Sequence, residues 1–399
     1  MGVRSRVWLL VCLIAVMLLT SGCWSRKELN SLSIAQGIGI DLEDNQYVLT
    51  VQIVNPGSFV KQQESMNTSI VVYSAKGATL NEAVRRLSAS VARKIFFAHI
   101  RIVVFSERVA KQGIAKPLDF LMRDNEIRSD FNVVIARDST AKEVLSVLTP
   151  LEKIPSNYLF NALEVANKEW SHVVSVKMDE VANNILGEGM DPVLSGVRIL
   201  GDKTKGKETA NLQLSAPSVK FEHAGIGVLK KDKLVGWLDE NESRGYSLLT
   251  DRVQRTALHI PCPSGGKLGI DISHVHTQMR SKVTNNNPEI WVDSSVKGNI
   301  SSVECQIDLS DLATIEKINE QVSAAEKSLM ELSIQKAISL GTDIFGFGIA
   351  VHRADPKFWK KNKSNWDERF EQMPIHIEVV TSMSNTGTIG KSPVTEKEE

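Results

Sequence analysis

Residues 268–300, LGIDISHVHTQMRSKVTNNNPEIWVDSSVKGNI, carry the clearest structural pattern in the C-terminal half of this chain. Apolar and polar residues alternate for more than a dozen positions from Leu268 to Thr284, a pattern typical of a strand with one buried face. Three asparagines and Pro288 then form a turn into a second segment of this kind, Glu289–Ile300. The sequence therefore predicts a long hairpin.

A long helix and a second hairpin flank this segment. Between Asp311 and Leu340, apolar residues recur at helical spacing, and Gly341 stands where the end of a helix favours glycine. A helix of that length extends about 45 Å. Before residue 268, Ile226–Leu229 and Leu234–Leu238 enclose a charged turn and predict another hairpin.

The last apolar run, Ile375–Val380, would close the sheet that the two hairpins begin. We therefore predict an α+β domain over residues 223–382, in which an antiparallel sheet packs on one long helix. The polar residues 383–399 predict a solvated tail.

The N-terminal half alternates strands and helices. Thr79 and Thr140 are each followed three residues later by Glu, the spacing of a capping box at a helix start, and a further helix is predicted around Leu118–Met122. The order predicts a layered α/β domain over residues 23–190 and a multi-domain α+β chain. The predicted strands are Ile34–Leu42, Tyr47–Val54, Ile70–Tyr73, Ile100–Phe105 and Phe131–Ala136.

Residues 191–222 lack the regular apolar patterns of helices and strands. They contain glycines and lysine-rich turns instead. This stretch is either a small subdomain or a connecting region, and the sequence leaves the two alternatives open.

The first 22 residues have the form of a lipoprotein signal peptide. Arg4 and Arg6 precede the uncharged apolar run Val7–Leu19, which is too short to span a bilayer but suits a secretory signal. Small residues then lead directly into Cys23. We expect cleavage before Cys23 and an S-diacylglycerol on its thiol, with or without an acyl chain on its amine. An ordinary secretory signal with an incidental cysteine is the alternative.

Charge and cysteine content limit the classes of protein to which this chain can belong. The chain carries 47 basic and 47 acidic side chains, so the basic excess that nucleic-acid binding requires is missing. Apart from Cys12 in the leader and Cys23, the cysteines are Cys262 and Cys305. In an exported chain they are either buried free thiols or one disulfide that closes a loop of about 43 residues.

The recurring sequence devices of catalysis and tight metal binding are missing from the sequence. There is no phosphate loop ending in Gly-Lys-Ser/Thr, no His-Glu-x-x-His, no Cys-x-x-Cys and no Gly-x-Ser-x-Gly. His274 and His276 continue the apolar face of the predicted strand and could begin a metal site, but a hydrogen-bonded or exposed pair is the preferred interpretation. The acids from Asp239 to Glu242 are interpreted as a helix start. We expect no enzyme activity, no cofactor beyond the lipid, and no metal.

Several segments resemble the Ger(x)C family of spore germination lipoproteins. They are CWSRKELN at 23–30, GIGID at 37–41, GIGVLKKDKLVGWLDENESRGYSLL at 225–249 and DIFGFG at 343–348, with Trp359, Trp366 and Phe370. The resemblance covers nearly the whole chain in the order that the family has. It implies a multi-domain α/β fold of mixed sheets and helices, with an N-terminal α/β and a C-terminal α+β germination-protein domain.

The resemblance also implies a role. Members are the lipid-anchored C subunit of a nutrient germinant receptor, on the outer face of the cell membrane that becomes the inner spore membrane. They act beside the integral-membrane A and B subunits in the response to nutrients. Whether this subunit touches the nutrient is left open. A free-standing lipoprotein that captures a ligand for a transporter is the alternative.

Two segments are candidate contacts with such partners. Trp24, Arg26 and Glu28 directly follow the lipid and either touch a membrane partner or form a plain tether. Trp237, Arg244 and Gly245 accompany the predicted hairpin, where a core Trp and a helix-capping Arg explain them equally well. If they form a contact, charge reversal at Arg244 should weaken assembly without unfolding the domain.

Overall fold

The structure is a computed structural model, and it describes residues 2, 4, 8, 31–55, 68–262 and 265–385. Cys23, Trp24, Arg26 and Glu28 lie outside the described residues, as do residues 386–399 of the predicted tail. Among the described residues, no helix combines the length and the apolar character that crossing a membrane requires.

The described residues form thirteen strands in two sheets. The strands are β1 (Leu32–Glu43), β2 (Gln46–Val54), β3 (Ile70–Gly77), β4 (Lys94–Phe96), β5 (Ile102–Ser106), β6 (Asn132–Ala136), β7 (Val193–Leu200), β8 (Lys220–Lys230), β9 (Lys233–Leu238), β10 (Thr256–Pro261), β11 (Lys267–Thr284), β12 (Asn287–Val303) and β13 (Ile375–Asn385).

Twelve α-helices connect and cover these strands within the described part of the chain. They are α1 (Leu80–Ser90), α2 (Glu107–Gln112), α3 (Ala115–Arg123), α4 (Ala141–Ser146), α5 (Pro155–Glu169), α6 (Met178–Leu186), α7 (Ala210–Gln213), α8 (Glu240–Leu249), α9 (Leu312–Ser339), α10 (Phe347–Ala354), α11 (Pro356–Asn362) and α12 (Trp366–Gln372).

The first sheet has nine strands in the order β3-β2-β1-β5-β6-β7-β8-β9, with β4 paired to the start of β1. Strands β1, β5, β6 and β7 are parallel, so they begin at the same edge of the sheet, which we call the leading edge. We call the opposite edge, where they end, the far edge. Gly37 of β1 pairs with Ile102, at the start of β5. Because β1 begins five residues before Gly37, it extends about 17 Å beyond the leading edge.

Helices cover both faces of this sheet, as the alternation of elements predicted. On one face lie α4 and α5, through Leu145 and Leu159; on the other lie α1, α2, α3 and α6, through residues such as Leu87 and Leu121. The helix starts follow from local chemistry. At Thr140 the side chain accepts the Glu143 N–H while the Glu143 carboxylate accepts the Thr140 N–H, which completes the expected capping box. The predicted layered α/β domain is therefore confirmed.

The first sheet continues past residue 190, where the sequence analysis ended it. Strand β7 pairs in parallel with β6, and the hairpin β8–β9 pairs with β7. The hairpin assigned to the second domain therefore completes the first sheet, and residues 201–219 connect two of its strands. The local pattern predicts a hairpin correctly, but it does not specify which sheet the hairpin extends.

The second sheet has the order β10-β11-β12-β13. Strands β11 and β12 form the predicted long hairpin, with Lys282 opposite Glu289 near the turn. Strand β13 pairs with β12 in parallel, so the sheet is not wholly antiparallel as predicted. The parallel pairing follows from the route of the chain, because α9 to α12 carry it back before β13 begins.

A β-bulge in β11 moves the side chains that follow it to the opposite face of the sheet from the one that the alternation predicts. The register shifts between Ile272 and His274, so Ser273 is an extra residue in the strand. Ile272 is buried, and His274 and His276 are exposed, so the two histidines do not continue the apolar face as we expected. His276 Nδ1 lies 3.3 Å from the Asp251 carboxylate. The hydrogen-bonded, exposed pair is the arrangement that the structure has.

The two remaining cysteines form a bridge. Cys262 follows β10 and Cys305 follows β12, and a disulfide joins them with their Cα atoms 6.3 Å apart. Both residues are buried against the core of the second sheet. Of the two alternatives that the sequence left open, the structure has the bridge.

Candidate functional site

The segment Asp343–Gly348 wraps around one buried carboxylate. The Asp343 side chain is 2% exposed and accepts five hydrogen bonds. The donors are the backbone N–H groups of Phe345, Gly346, Phe347 and Gly348, at 2.7–3.2 Å, and the indole Nε1 of Trp366 at 2.9 Å. We call this arrangement the Asp343 knot.

Burial raises the pKa of Asp343 from 3.8 to about 6, while the hydrogen bonds from Gly348 and Trp366 act in the opposite direction. Because both oxygens are already occupied by donors from within the chain, this carboxylate has no free position for a metal or a substrate. The knot positions its neighbours, and it is not a reactive group.

The Asp343 knot docks the C-terminal helices on the first sheet. The Asp191 N–H donates to the carbonyl oxygen of Asp343 at 2.7 Å, and the Ile349 N–H donates to the carbonyl oxygen of Gly189 at 3.2 Å. Gly189 has φ of +86°, and a Cβ there would lie 2.7 Å from the carbonyl carbon of Gly348. This close approach requires glycine. The contact places α10 and α11 against the loop that enters β7 at the leading edge.

A cleft of about 360 Å³ lies beside the Asp343 knot, and we call it the junction cleft. Its two sides are joined by exposed ion pairs, Lys363 with Glu188 and Lys230 with Asp367, both at 2.6 Å. Exposed pairs of this kind stabilise a contact by at most about 1 kcal/mol, so the rim can open at low cost. The lining consists of Asn184, Ile185, Gly187, Glu188, Gly189, Met190, Asp191, Lys231, Asp343, Trp359, Lys363, Ser364, Trp366 and Asp367.

The chemistry of the junction cleft suits binding. Its acids and bases pair with one another, its Trp side chains give apolar faces, and no Ser, Cys or His nucleophile meets a general base there. Burial raises the pKa of Asp191, whose carboxylate accepts the Lys231 N–H. In the sequence, Asp343, Trp359 and Trp366 stand out only through the family resemblance. The sequence patterns did not indicate the loop from Gly187 to Asp191.

Arg244 and Gly245 lie where α8 crosses α9. The Arg244 guanidinium contacts the Glu326 carboxylate at 2.8 Å, with side chains 14% and 0% exposed, and also donates to the carbonyl oxygen of Ala257. A Cβ on Gly245 would lie 2.0 Å from the carbonyl oxygen of Leu329. Both residues therefore hold the two helices together. Because of this contact, we now expect charge reversal at Arg244 to destabilise the domain, whereas the sequence predicted that it would stay folded.

Trp237 also packs within the chain. Its ring lies against Gly196, where a Cβ would be 2.5 Å away, and the Arg137 guanidinium lies 4.6 Å from the ring centre. Its Nε1 donates to the Glu107 carboxylate at 3.3 Å. Of the six residues that the sequence proposed as partner contacts, the three that the structure describes, Trp237, Arg244 and Gly245, all pack inside the molecule.

The motif Gly37–Asp41 runs along β1 and ends at the position where open α/β sheets bind ligands. That position lies at the carboxyl ends of neighbouring parallel strands. Asp41 is buried there, and its carboxylate accepts the N–H groups of Ala141 and Lys142 at 2.8 and 3.0 Å. A side chain of the protein therefore occupies the site, and the glycines let β1 approach Leu145 and Ser156 closely.

A groove of about 500 Å³ contains a histidine pair, with the rings of His172 and His223 6.2 Å apart. Burial, with the neighbouring His223, lowers the pKa of His172 to about 4, and burial also lowers the pKa of His223. Across the described residues, no group of three or more His, Cys, Asp or Glu side chains is arranged to hold a metal. The charged groups that share the groove are Arg137, Arg198, Glu222, Asp239 and Glu240.

His172→Gln is expected to reduce the loss of stability in acid. The unfolded chain takes up a proton at His172 near pH 6.5, whereas the folded chain does so only near pH 4, so acidification through this range favours unfolding. The measurement is the fall in Tm between pH 7.5 and pH 5, which should be smaller in the variant. His352→Gln, at an exposed position, is the control. An equal fall in Tm for His172→Gln and the unchanged chain would contradict the assignment.

Comparisons with known proteins cover nearly the whole chain. The family model described as "Spore germination protein N-terminal domain" matches residues 25–199, and the model described as "Spore germination B3/ GerAC like, C-terminal" matches residues 224–387. The chain is 33% identical to spore germination protein KC of Bacillus subtilis (strain 168), over 94% of this chain and 96% of that protein. It is 24% identical to spore germination protein B3 of the same organism, over 94% and 97%.

A solved structure shares the fold. The crystal structure of the GerBC protein matches with a TM-score of 0.56 and 18% identity, over 90% of this chain and 99% of that one. The family models, the relatives and the fold agree, and the recognition made from the sequence motifs is confirmed. The chain belongs to the Ger(x)C family of spore germination proteins.

Proposed function

We propose that this chain is the lipid-anchored C subunit of a spore nutrient germinant receptor and that it acts through contacts with the integral-membrane A and B subunits. The observation that carries the proposal is the match of both germination-protein models, in order, over almost the entire chain. Its place is the outer face of the cell membrane, which becomes the inner membrane of the spore. The thiol of Cys23 carries the lipid.

The geometry of the described residues supports a role in protein contacts. The buried carboxylates of Asp41, Asp343 and Glu326 each accept hydrogen bonds from donors of the chain itself, as structural groups do. The junction cleft has a mixed polar and apolar lining and a rim of exposed ion pairs. Such a surface suits a polypeptide partner better than a chemical step.

Ligand capture for a transporter is the competing function. A capture protein closes two similar lobes around its ligand, whereas the two sheets here differ, with nine mixed strands in one and four in the other. Nothing in the described residues favours this alternative over the receptor subunit.

Deletion of the gene is expected to abolish the germination response to particular nutrients, and a Cys23→Ala chain should restore it poorly. Without the two acyl chains, the protein loses the attachment that keeps it beside its membrane partners. Germination of purified spores is followed across a panel of nutrients, in a strain without other receptors of this kind. Ser21→Ala, which changes the leader but keeps the lipidated thiol, is the matched control. A normal response of the deleted spores to every nutrient would favour ligand capture.

A further inference from the structure

We propose that α10 and α11 present a basic surface that lies on anionic phospholipid headgroups, so that the leading edge of the first sheet faces the bilayer. The surface consists of Arg353, Lys357, Lys360 and Lys361, and we call it the basic face. The proposal rests on the proposed lipid anchor at Cys23, and it adds how the anchored molecule is oriented.

The basic face has a clear excess of positive charge. From Ala350 to Lys363 the chain has five Lys or Arg and one acid, Asp355. The Asp355 carboxylate is used locally, since it accepts the N–H groups of Lys357 and Phe358 at the start of α11. All four side chains of the basic face are exposed, and within residues 31–55, 68–262 and 265–385 none forms an ion pair with a carboxylate. Lys363 is excluded because it pairs with Glu188.

The topology brings the anchor and the basic face to the same edge. Strand β1 begins at Leu32, about 17 Å beyond the leading edge, so the chain leaves the first sheet on that side. Eight residues separate Leu32 from Cys23, and such a tether spans at most about 32 Å. The loop into β7 lies at the same edge, and its Gly189 contacts Ile349 of α10 and Trp359 of α11.

The distance across the sheet between β1 and β7 is also short. Strands β1 and β7 are separated by β5 and β6, which is about 14 Å across the sheet. A chain anchored beside β1 therefore holds the basic face close to the bilayer surface at high effective concentration. Each Lys or Arg near an anionic surface strengthens binding about fivefold, so three or four together are enough to select one orientation of an anchored molecule.

The carboxylates nearest the basic face do not neutralise its positive charge. Glu188 and Asp367 are each paired with a lysine. Glu368 and Glu371 are exposed on α12, which follows the basic face, and the variants below leave them unchanged.

The test measures lipid contact at two positions of the acylated full-length protein. A fluorophore is placed on Ala354→Cys, within the basic face, or on Glu208→Cys, at the far edge; both positions are exposed. The protein is reconstituted on vesicles of phosphatidylcholine with or without 30% phosphatidylglycerol, and quenching by headgroup-labelled lipids is recorded. We expect strong quenching at residue 354 on the anionic vesicles only, reversed by 0.5 M salt, and little quenching at residue 208.

Charge variants identify the groups responsible. The triple variant Lys357→Gln, Lys360→Gln, Lys361→Gln should lower the fraction of molecules with residue 354 at the lipid, as expected for an affinity about 100-fold lower. The matched control, Lys205→Gln, Lys207→Gln, Lys220→Gln, removes the same charge from exposed positions at the far edge and should change nothing. Equal quenching at both labels, or quenching that ignores phosphatidylglycerol, overturns the proposal, and so does contact of the basic face with an acidic protein instead of lipid.

A second measurement tests the basic face independently of the lipid anchor at Cys23. An unacylated chain that begins at Trp24 keeps every residue of both sheets. It should sediment with phosphatidylglycerol vesicles and remain in solution with phosphatidylcholine. If the full-length protein is not acylated but the unacylated chain binds anionic vesicles, the anchor fails and the basic face stands. If the full-length protein is acylated but the unacylated chain ignores lipid charge, the basic face fails and the anchor stands.

Discussion

Asp343→Ala is expected to destabilise the protein by about 4 kcal/mol or more and to release the C-terminal helices from the first sheet. The substitution leaves five donors of the Asp343 knot without an acceptor in a buried place. Each buried donor that loses its partner costs about 1–3 kcal/mol, reduced where water can enter. Chemical denaturation of the mature chain, followed by Trp fluorescence, measures the change in the free energy of unfolding.

Asp355→Ala is the matched control for the Asp343 knot. Asp355 also accepts two backbone N–H groups, but at the accessible start of α11, where loss of a cap costs about 0.5–2 kcal/mol. Asp343→Asn keeps one acceptor oxygen and should fall between the two. If Asp343→Ala and Asp355→Ala unfold at the same denaturant concentration, the Asp343 knot does not hold the C-terminal helices on the first sheet.

Arg244→Glu is expected to cost about 3–5 kcal/mol, because it places a second carboxylate against Glu326 in the crossing of α8 and α9. Burial already raises the pKa of Glu326, and the guanidinium of Arg244 opposes that rise. Arg280→Glu breaks an exposed pair with Asp293 and should cost less than about 1 kcal/mol. The double variant Arg244→Met, Glu326→Leu should recover most of the stability, because an apolar pair of similar volume replaces the ion pair.

The denaturation curves also decide between the two roles of Arg244. A variant that is as stable as the unchanged chain but fails in germination would show that Arg244 contacts a partner, as the sequence analysis proposed. A large loss of stability that the double variant repairs assigns it to the crossing of the two helices.

Regular patterns in the sequence predicted the elements well. The alternation around residues 268–300 predicted a hairpin, because a two-residue apolar period over that length is typical of β-strands alone. The capping box at Thr140 fixed a helix start for the same reason, since its hydrogen bonds are local. The assignment of β8–β9 failed because a hairpin carries no information about which distant strand it will pair with.

The sequence patterns did not predict other features of the structure, because single residues determine those features. One extra residue, Ser273, reverses the faces of β11 and exposes two histidines. The short helix α11 had a readable start in Asp355 and Pro356, but it is only seven residues long and has no clear period. Glu326 stands in the buried stripe of α9, where a search for apolar residues passes over it.

The candidate site was predictable only in part. Asp343, Trp359 and Trp366 were recognised from the family motifs, without a physical reason for their presence. Their roles depend on Gly189 and Asp191, which lie more than 150 residues earlier and approach them only in the fold. Contacts of that kind leave no periodic signal in the sequence.

The hairpin that completes the first sheet also sets the timing of folding. When export keeps pace with synthesis, the chain emerges N-terminus first, and β7 is outside the membrane before β8, its partner in the sheet. At about 5–20 residues per second, the interval between Leu200 and Leu238 is roughly 2–8 s. During that interval the edge of β7 is open to pairing with the wrong strand. The nascent first sheet is vulnerable to aggregation for those seconds, and the arrival of β8 and β9 ends that period.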